Sequence, residues 1–213
     1  MSTFPNIRQE EGSLHCGPYC VVACLQALNK LPLRHSIELR KLKLSELGFK
    51  GPFISLNESY DFTRLALDLY KVTGIITPGE KPDYIEHSGY NSIAAMIYVL
   101  SQFGLKSEVV IRDEQTREYL EMVFPTEFKL IEKLAVPIEI LGQNISTPSK
   151  TMLISVISIN ESLHYIANNA LGEWFDSDIE EAEPKWECIE KWHLTRNKRE
   201  GATWLGVSIR VAL

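Results

Sequence analysis

The stretch Gln9-Glu10-Glu11-Gly12-Ser13-Leu14-His15-Cys16-Gly17-Pro18-Tyr19-Cys20 sets a cysteine directly before a Gly-Pro pair that opens a long apolar run. Pro is favoured in the first turn of a helix, where its missing N–H costs nothing. The Cys16 thiol then sits at the positive end of a helix, which favours the thiolate, the nucleophilic form. Gly17 allows close approach of a substrate. A backbone N–H at the helix start can donate to an oxyanion, and the Gln9 amide can supply a second donor. Cys20 and Cys24 recur at i+4 and i+8 on the same face and read as small buried residues. The three thiols span about 12 Å of helix, too far for one tetrahedral ion, and nucleophilic chemistry at Cys16 needs neither a metal nor an organic cofactor.

A nucleophilic Cys needs a base, and the base needs an acceptor to orient it. Of His15, His35, His87, His164 and His193, only His164 has a fitting context. Leu163-His164-Tyr165-Ile166-Ala167 reads as a strand, residues 168–172 as a turn, and Glu173-Trp174-Phe175-Asp176 as the returning strand. The hairpin brings His164 and Asp176 together across the ladder. Asp178 has the same strand parity and competes for the same role, because the register is open. His15 adjoins Cys16 but is expected to point away from the site. Cys188 has no assigned role. The basic run at residues 196–199 reads as a solvated loop, and Asn144-Ile145-Ser146 matches a glycosylation sequon without consequence in a reducing compartment.

The elements that would position these residues fall into two textures. Up to about residue 135 the chain reads as helices, over 17–29, 36–47, 61–72, 93–103, 113–124 and 126–134, with Ser36 as a cap, Asn91 and Ser92 opening the helix at 93, and Gly48, Gly74 and Gly104 as stops. The rest reads as short β-branched strands, at 107–111, 136–141, 152–157, 163–167, 173–176 and 204–211, with one short helix near 186–193. Helices first and strands later is an α+β pattern with an antiparallel sheet.

Composition narrows the setting. In 213 residues, 22 Lys+Arg stand against 28 Asp+Glu, a net charge of −6, and 45 % of residues are apolar. That apolar content belongs to a folded domain. The acidic balance argues against a general nucleic-acid binder. No apolar window is long enough to span a membrane, and no basic region followed by an apolar core opens the chain, so no secretory signal is expected. Four Cys are too few for a disulfide scaffold, which points to a reducing compartment. With no linker or repeat, residues 1–213 read as one domain and a monomer.

Gln9, Cys16-Gly17-Pro18, Leu163-His164-Tyr165 and Trp174-Phe175-Asp176 together resemble papain-like cysteine peptidases of the C39-like, bacteriocin-processing kind. Over most of the chain the resemblance extends to the IpaJ-type effector proteases of Shigella. These share the Cys-Gly helix start, a segment like Gly89–Leu105, a Leu-His-aromatic strand with Asp twelve residues after the His, and a strand similar to Gly206-Val207-Ser208-Ile209. The resemblance implies a papain-like fold with a helical half packed on a sheet. It also implies a Cys16–His164–Asp176 triad with Gln9 at the oxyanion, and cleavage after an N-myristoylated glycine of a host protein such as a small GTPase. Such a bacterial effector either stays cytoplasmic or enters a host cell by a route that needs no signal peptide. Gln9 lies seven residues before Cys16, one more than the usual spacing, and Asp176 is followed by Ser177 where the family has Pro. Glu11-Gly12-Ser13-Leu14 and Trp174-Phe175 also resemble Josephin-type deubiquitinases, in which the acid maps to Asp178. Glutamine deamidation and a non-catalytic binding module on the same fold are the remaining alternatives.

Overall fold

A run that is apolar on every side, as from Cys16 to Ala27, makes a stable helix only when other layers enclose it. The computed structural model describes residues 3–57, 61–84, 89–141, 151–180 and 184–213, and there this run is a helix with ten consecutive buried residues, Cys16 to Leu25. The elements are, in order, α1 (Cys16–Ala27), β1 (Ile37–Arg40), β2 (Phe53–Leu56), α2 (Phe62–Thr73), β3 (Gly74–Ile75), β4 (Tyr90–Asn91), α3 (Ile93–Gln102), β5 (Lys106–Ile111), α4 (Glu114–Val123), α5 (Pro125–Lys133), β6 (Ile138–Ile140), β7 (Met152–Ile159), β8 (Ser162–Asn169), β9 (Trp174–Phe175) and β10 (Ala202–Ala212). The fold is α+β.

Local chemistry explains the helix limits. Asp61, Ser92 and Asp113 each cap a helix by accepting from the backbone N–H three residues on, Arg64, Ala95 and Thr116. Helix α1 closes with Asn29 in the left-handed region (φ 57°), while Lys30 N–H donates to the Leu25 carbonyl.

The main sheet has the order β6-β5-β10-β7-β8-β9. It is mixed: β6 runs parallel to β5, reached through α4 and α5, and the other neighbours are antiparallel. Alternation divides the sheet between two apolar clusters. Val109, Ile111, Ile154, Val156, Ile209 and Val211 pack with α1, α2 and α3. Leu153, Ile157, Ile166 and Trp204 pack instead with Trp174, Ile189 and Trp192.

Two expected helices take other forms. Residues 36–47 give strand β1, paired with β2 in the register Ile37↔Leu56 to Arg40↔Phe53, and then a 3-10 helix at Leu44–Glu46. The apolar residues at 37 and 39 alternate, and pairing with 54 and 56 overrides the helical spacing. Around 186–193 only a 3-10 helix, Ile189–Lys191, forms. The carbonyls of Trp186 and Glu187 accept the indole N–H groups of Trp174 (3.0 Å) and Trp192 (2.8 Å), so they are bonded without a helical ladder.

Candidate active site

Helix α1 begins at Cys16 itself, and Tyr19 N–H to His15 carbonyl (3.2 Å) is its first backbone bond. The N–H groups of Cys16 and Gly17 therefore have no carbonyl one turn earlier to bond, and Pro18 has none to satisfy. Gly17 is required by its neighbours: a Cβ there would lie 2.7 Å from Asn91 Cβ and 2.9 Å from Met96 Sδ. Asn91 pins the loop ahead of the thiol. Its Nδ2 donates to the Leu14 carbonyl at 2.8 Å and stands 4.0 Å from Cys16 Sγ. Its orientation is set by Thr73 Oγ1, which donates to Oδ1 at 3.1 Å, and its carbonyl accepts from the Tyr165 hydroxyl at 2.9 Å.

His164 comes in on β8. The β7–β8 turn places Asn160 (φ 49°) and Glu161 (φ 67°) in the left-handed region, as a two-residue primed turn demands. Strand β8 returns through a second tight turn, where Asn169 Oδ1 accepts from the N–H groups of Leu171 and Glu173 and Gly172 takes φ 77°. Asn168 and Asn169, expected in that turn, belong to the strand. The ladder pairs Ala167↔Phe175 and Asn168↔Trp174 and then stops. Asp176 turns in from there, and His164 Nε2 donates to its Oδ1 at 2.7 Å, with the carboxylate side chain fully enclosed. Asp178 is placed differently. Its backbone N–H donates to Asp176 Oδ1 at 2.9 Å, while its carboxylate takes a guanidinium N–H of Arg199 at 3.3 Å.

The electrostatics follow from these bonds. Burial alone would lower the His164 imidazole, but its hydrogen bonds to Asp176 and Cys16, together with their charges, push it up to about 10. With Nε2 on Asp176, Nδ1 is the ring nitrogen available to the thiol. Burial would raise the Asp176 carboxyl. The bond and charge of His164, the Asp178 N–H and the Arg199 charge outweigh it and hold the carboxyl below its usual range. Burial pushes the thiols of Cys20, Cys24 and Cys188 up, so these three stay neutral and inert.

Gln9 is anchored at the other end of the site. Its N–H donates to the Ser177 carbonyl (3.0 Å), its Oε1 accepts from Ser177 Oγ (3.0 Å), and its Nε2 donates to the Ser13 carbonyl (3.1 Å). It thus joins the loop before Cys16 to the residue between the two aspartates. His15, read as pointing away from the site, is half-buried: its ring packs against that of Tyr70, with centroids 4.4 Å apart, and burial lowers its pKa. His35 and His193 are exposed. His87 and the 144–146 sequon lie outside the described residues.

Two residues of the site were not anticipated. Asn91 was read only as part of a helix start, and nothing in its spacing from Cys16 marks it. Arg199 was placed in a solvated loop, yet its Nε donates to Asp176 Oδ2 at 3.1 Å and its side chain is only 22 % exposed. An apolar cavity of about 250 Å³ adjoins Asn91 and Tyr165, walled by residues such as Val109, Leu120, Phe128, Leu205 and Val207, with Glu127 among its lining. Among the described residues no group of His, Cys, Asp and Glu could hold a metal ion, and no helix is long and apolar enough to cross a membrane.

The family model described as Invasion plasmid antigen J, cysteine protease, matches residues 8–212. The chain belongs to this family. No curated protein and no solved structure matches it. Membership in the Invasion plasmid antigen J family makes the chain a cysteine protease with a protein substrate. The matched span takes in Gln9, Cys16, His164 and both aspartates.

Proposed function

We propose that Cys16, His164 and Asp176 form the catalytic triad of this protease, in a single papain-like, C39-like domain covering residues 1–213. The observation that carries the reading is the 2.7 Å bond from His164 Nε2 to a fully enclosed Asp176, with the charge of Cys16 acting on the same imidazole. Cys16 Sγ, as thiolate, attacks the substrate carbonyl carbon. The oxyanion is met by the Cys16 backbone N–H and by the Gln9 amide N–H not committed to Ser13. His164 passes its proton to the departing amine, which leaves as the C-terminal fragment with a new N-terminus. Water, deprotonated by the same imidazole, then cleaves the thioester and restores Cys16. Asp176 keeps the imidazole in one tautomer and stabilises its charged form. Asp178 serves Arg199 in this reading.

For the substrate we take the N-terminally lipidated class, a myristoyl-glycine protein of a host cell such as a small GTPase. The family and the apolar cavity beside Asn91 and Tyr165 support it. The chain then acts as an effector in a reducing cytoplasm, in keeping with its free thiols. The test is the mass of an N-myristoyl-glycyl peptide after incubation. Proteolysis splits it after glycine with wild type and leaves it whole with Cys16→Ala. A gain of about 1 Da on a glutamine, or capture of a ubiquitin C-terminal electrophile by Cys16 with the peptide untouched, would replace this reading by deamidation or deubiquitination.

A further inference from the structure

The loop at residues 196–199 carries a charge that reaches the site from behind. Arg199 stands at the entry to β10, in a turn where its carbonyl accepts the Ala202 N–H at 3.1 Å and Gly201 takes φ 69°. Its backbone is thus fixed, and its guanidinium forks. Nε donates to Asp176 Oδ2 at 3.1 Å and Nη2 to Asp178 Oδ2 at 3.3 Å. The two oxygens of Asp176 are divided: Oδ1 takes His164 Nε2 and the Asp178 N–H, Oδ2 takes Arg199. Asp176 therefore lies between two cations whenever His164 is protonated.

Resting on the triad reading above, we infer that Arg199 is a positioning residue for catalysis: it orients the Asp176 carboxylate toward His164 and shares its negative charge, so that the imidazolium can release its proton to the leaving amine. Geometry and charge both serve this end. A carboxylate with a free second oxygen can rotate about its last bond, and a bond on each oxygen stops that rotation. An unshared buried carboxylate would hold the imidazolium proton so firmly that the acid step slows; a second cation on the same carboxylate weakens that hold. The planar fork of Arg fits two carboxylates at once, which an ammonium on a flexible stem does not.

The titratable and charged groups around His164, among the described residues, are Cys16 and Cys20 of α1, Asp176 and Asp178 after β9, and Arg199. Tyr70 of α2 and Tyr165 of β8 feel the charge of Cys16. Of these, Arg199 is the cation.

The test needs no substrate. The rate at which iodoacetamide alkylates Cys16, followed by mass spectrometry of the Cys16 peptide, is measured from pH 4 to 11 in the full chain. In wild type the rate rises in two steps, and the upper step marks loss of the His164 proton. In Arg199→Gln the upper step moves to higher pH by about half a unit to one unit, because a neighbouring cation has gone. Arg199→Lys brings it back toward the wild-type position. Arg199→Met keeps the unbranched stem and gives the same upward shift should the glutamine variant fold poorly. An upper step unmoved in both neutral variants overturns the inference and leaves Arg199 as an ordinary ion pair. A wild-type profile with a single step at the position of an ordinary thiol removes the Cys16–His164 pairing itself, and with it the role of Arg199.

Discussion

Asp176 and Glu127 are two carboxyls drawn into the protein, and they respond in opposite directions. Asp176 is met by His164, by Arg199 and by one backbone N–H, and is held below its usual range in spite of burial. Among the described residues, Glu127 is met by neutral donors: the Tyr84 hydroxyl (2.7 Å), the Ser92 hydroxyl (2.9 Å) and the Ala94 N–H at the start of α3 (3.0 Å). Burial there exceeds what those bonds return, and the carboxyl is raised. The difference shows that enclosure alone does not decide ionisation; the charge of the partners does. One region is built to keep charges, the other to cap a helix and hold a cavity wall.

Asp176→Asn should break the comparison most strongly. It leaves the His164 proton and Arg199 without their shared anion in an enclosed site. The expected loss is on the order of 10²–10⁴ in kcat, with little change in KM. Stability should fall by about 3–5 kcal/mol near neutral pH. The pH trend has a definite sign. A depressed carboxyl contributes stability above its unfolded value of 3.8 and loses it as pH falls through its lower folded value. The deficit of the variant against wild type should therefore shrink in thermal melts taken below pH 3.8.

Asp178→Asn comes next. It removes one arm of the Arg199 fork from an exposed carboxylate and should lower kcat by less than about threefold, since exposed pairs contribute little.

Glu127→Gln should have the smallest effect on activity, within about twofold, because its partners are hydroxyls that can reorient and an N–H that the amide oxygen still accepts. Its stability trend should run opposite to that of Asp176→Asn. A raised carboxyl contributes most below its unfolded value of 4.5 and loses that contribution as pH rises through its higher folded value. The variant should gain on wild type between pH 4.5 and 8. Parallel trends for the two variants would contradict the contrast between charged and neutral partners.

Much of this arrangement was legible in the chain, for physical reasons. Cys16-Gly17-Pro18 announces a helix start through rules of the first turn, and α1 begins within one residue of that reading. The Asn-Asn-Ala-Leu-Gly segment announces a return turn after His164, which brings Asp176 within reach. Strand parity could not choose between Asp176 and Asp178. Continuing the register past Phe175 would set Asp178 opposite His164, but the ladder ends and the chain turns Asp176 inward. Arg199 and Asn91 were illegible because their roles depend on tertiary approach across 23 and 75 positions of chain from Asp176 and Cys16. The error at residues 36–47 has the same origin: the apolar residues fit a helix locally, and pairing with the strand at 53–56 decided otherwise.

The central claim is that Cys16 carries the substrate acyl group. The most direct measurement is an acid-quenched reaction of the full protein with an N-myristoyl-glycyl peptide, followed by intact-mass and peptide mass spectrometry. The account predicts a myristoyl-glycyl thioester on the Cys16 peptide that is removed by hydroxylamine and absent in Cys16→Ala. Cleavage that continues at the wild-type rate in Cys16→Ala, or an acyl group found on another residue, would contradict it.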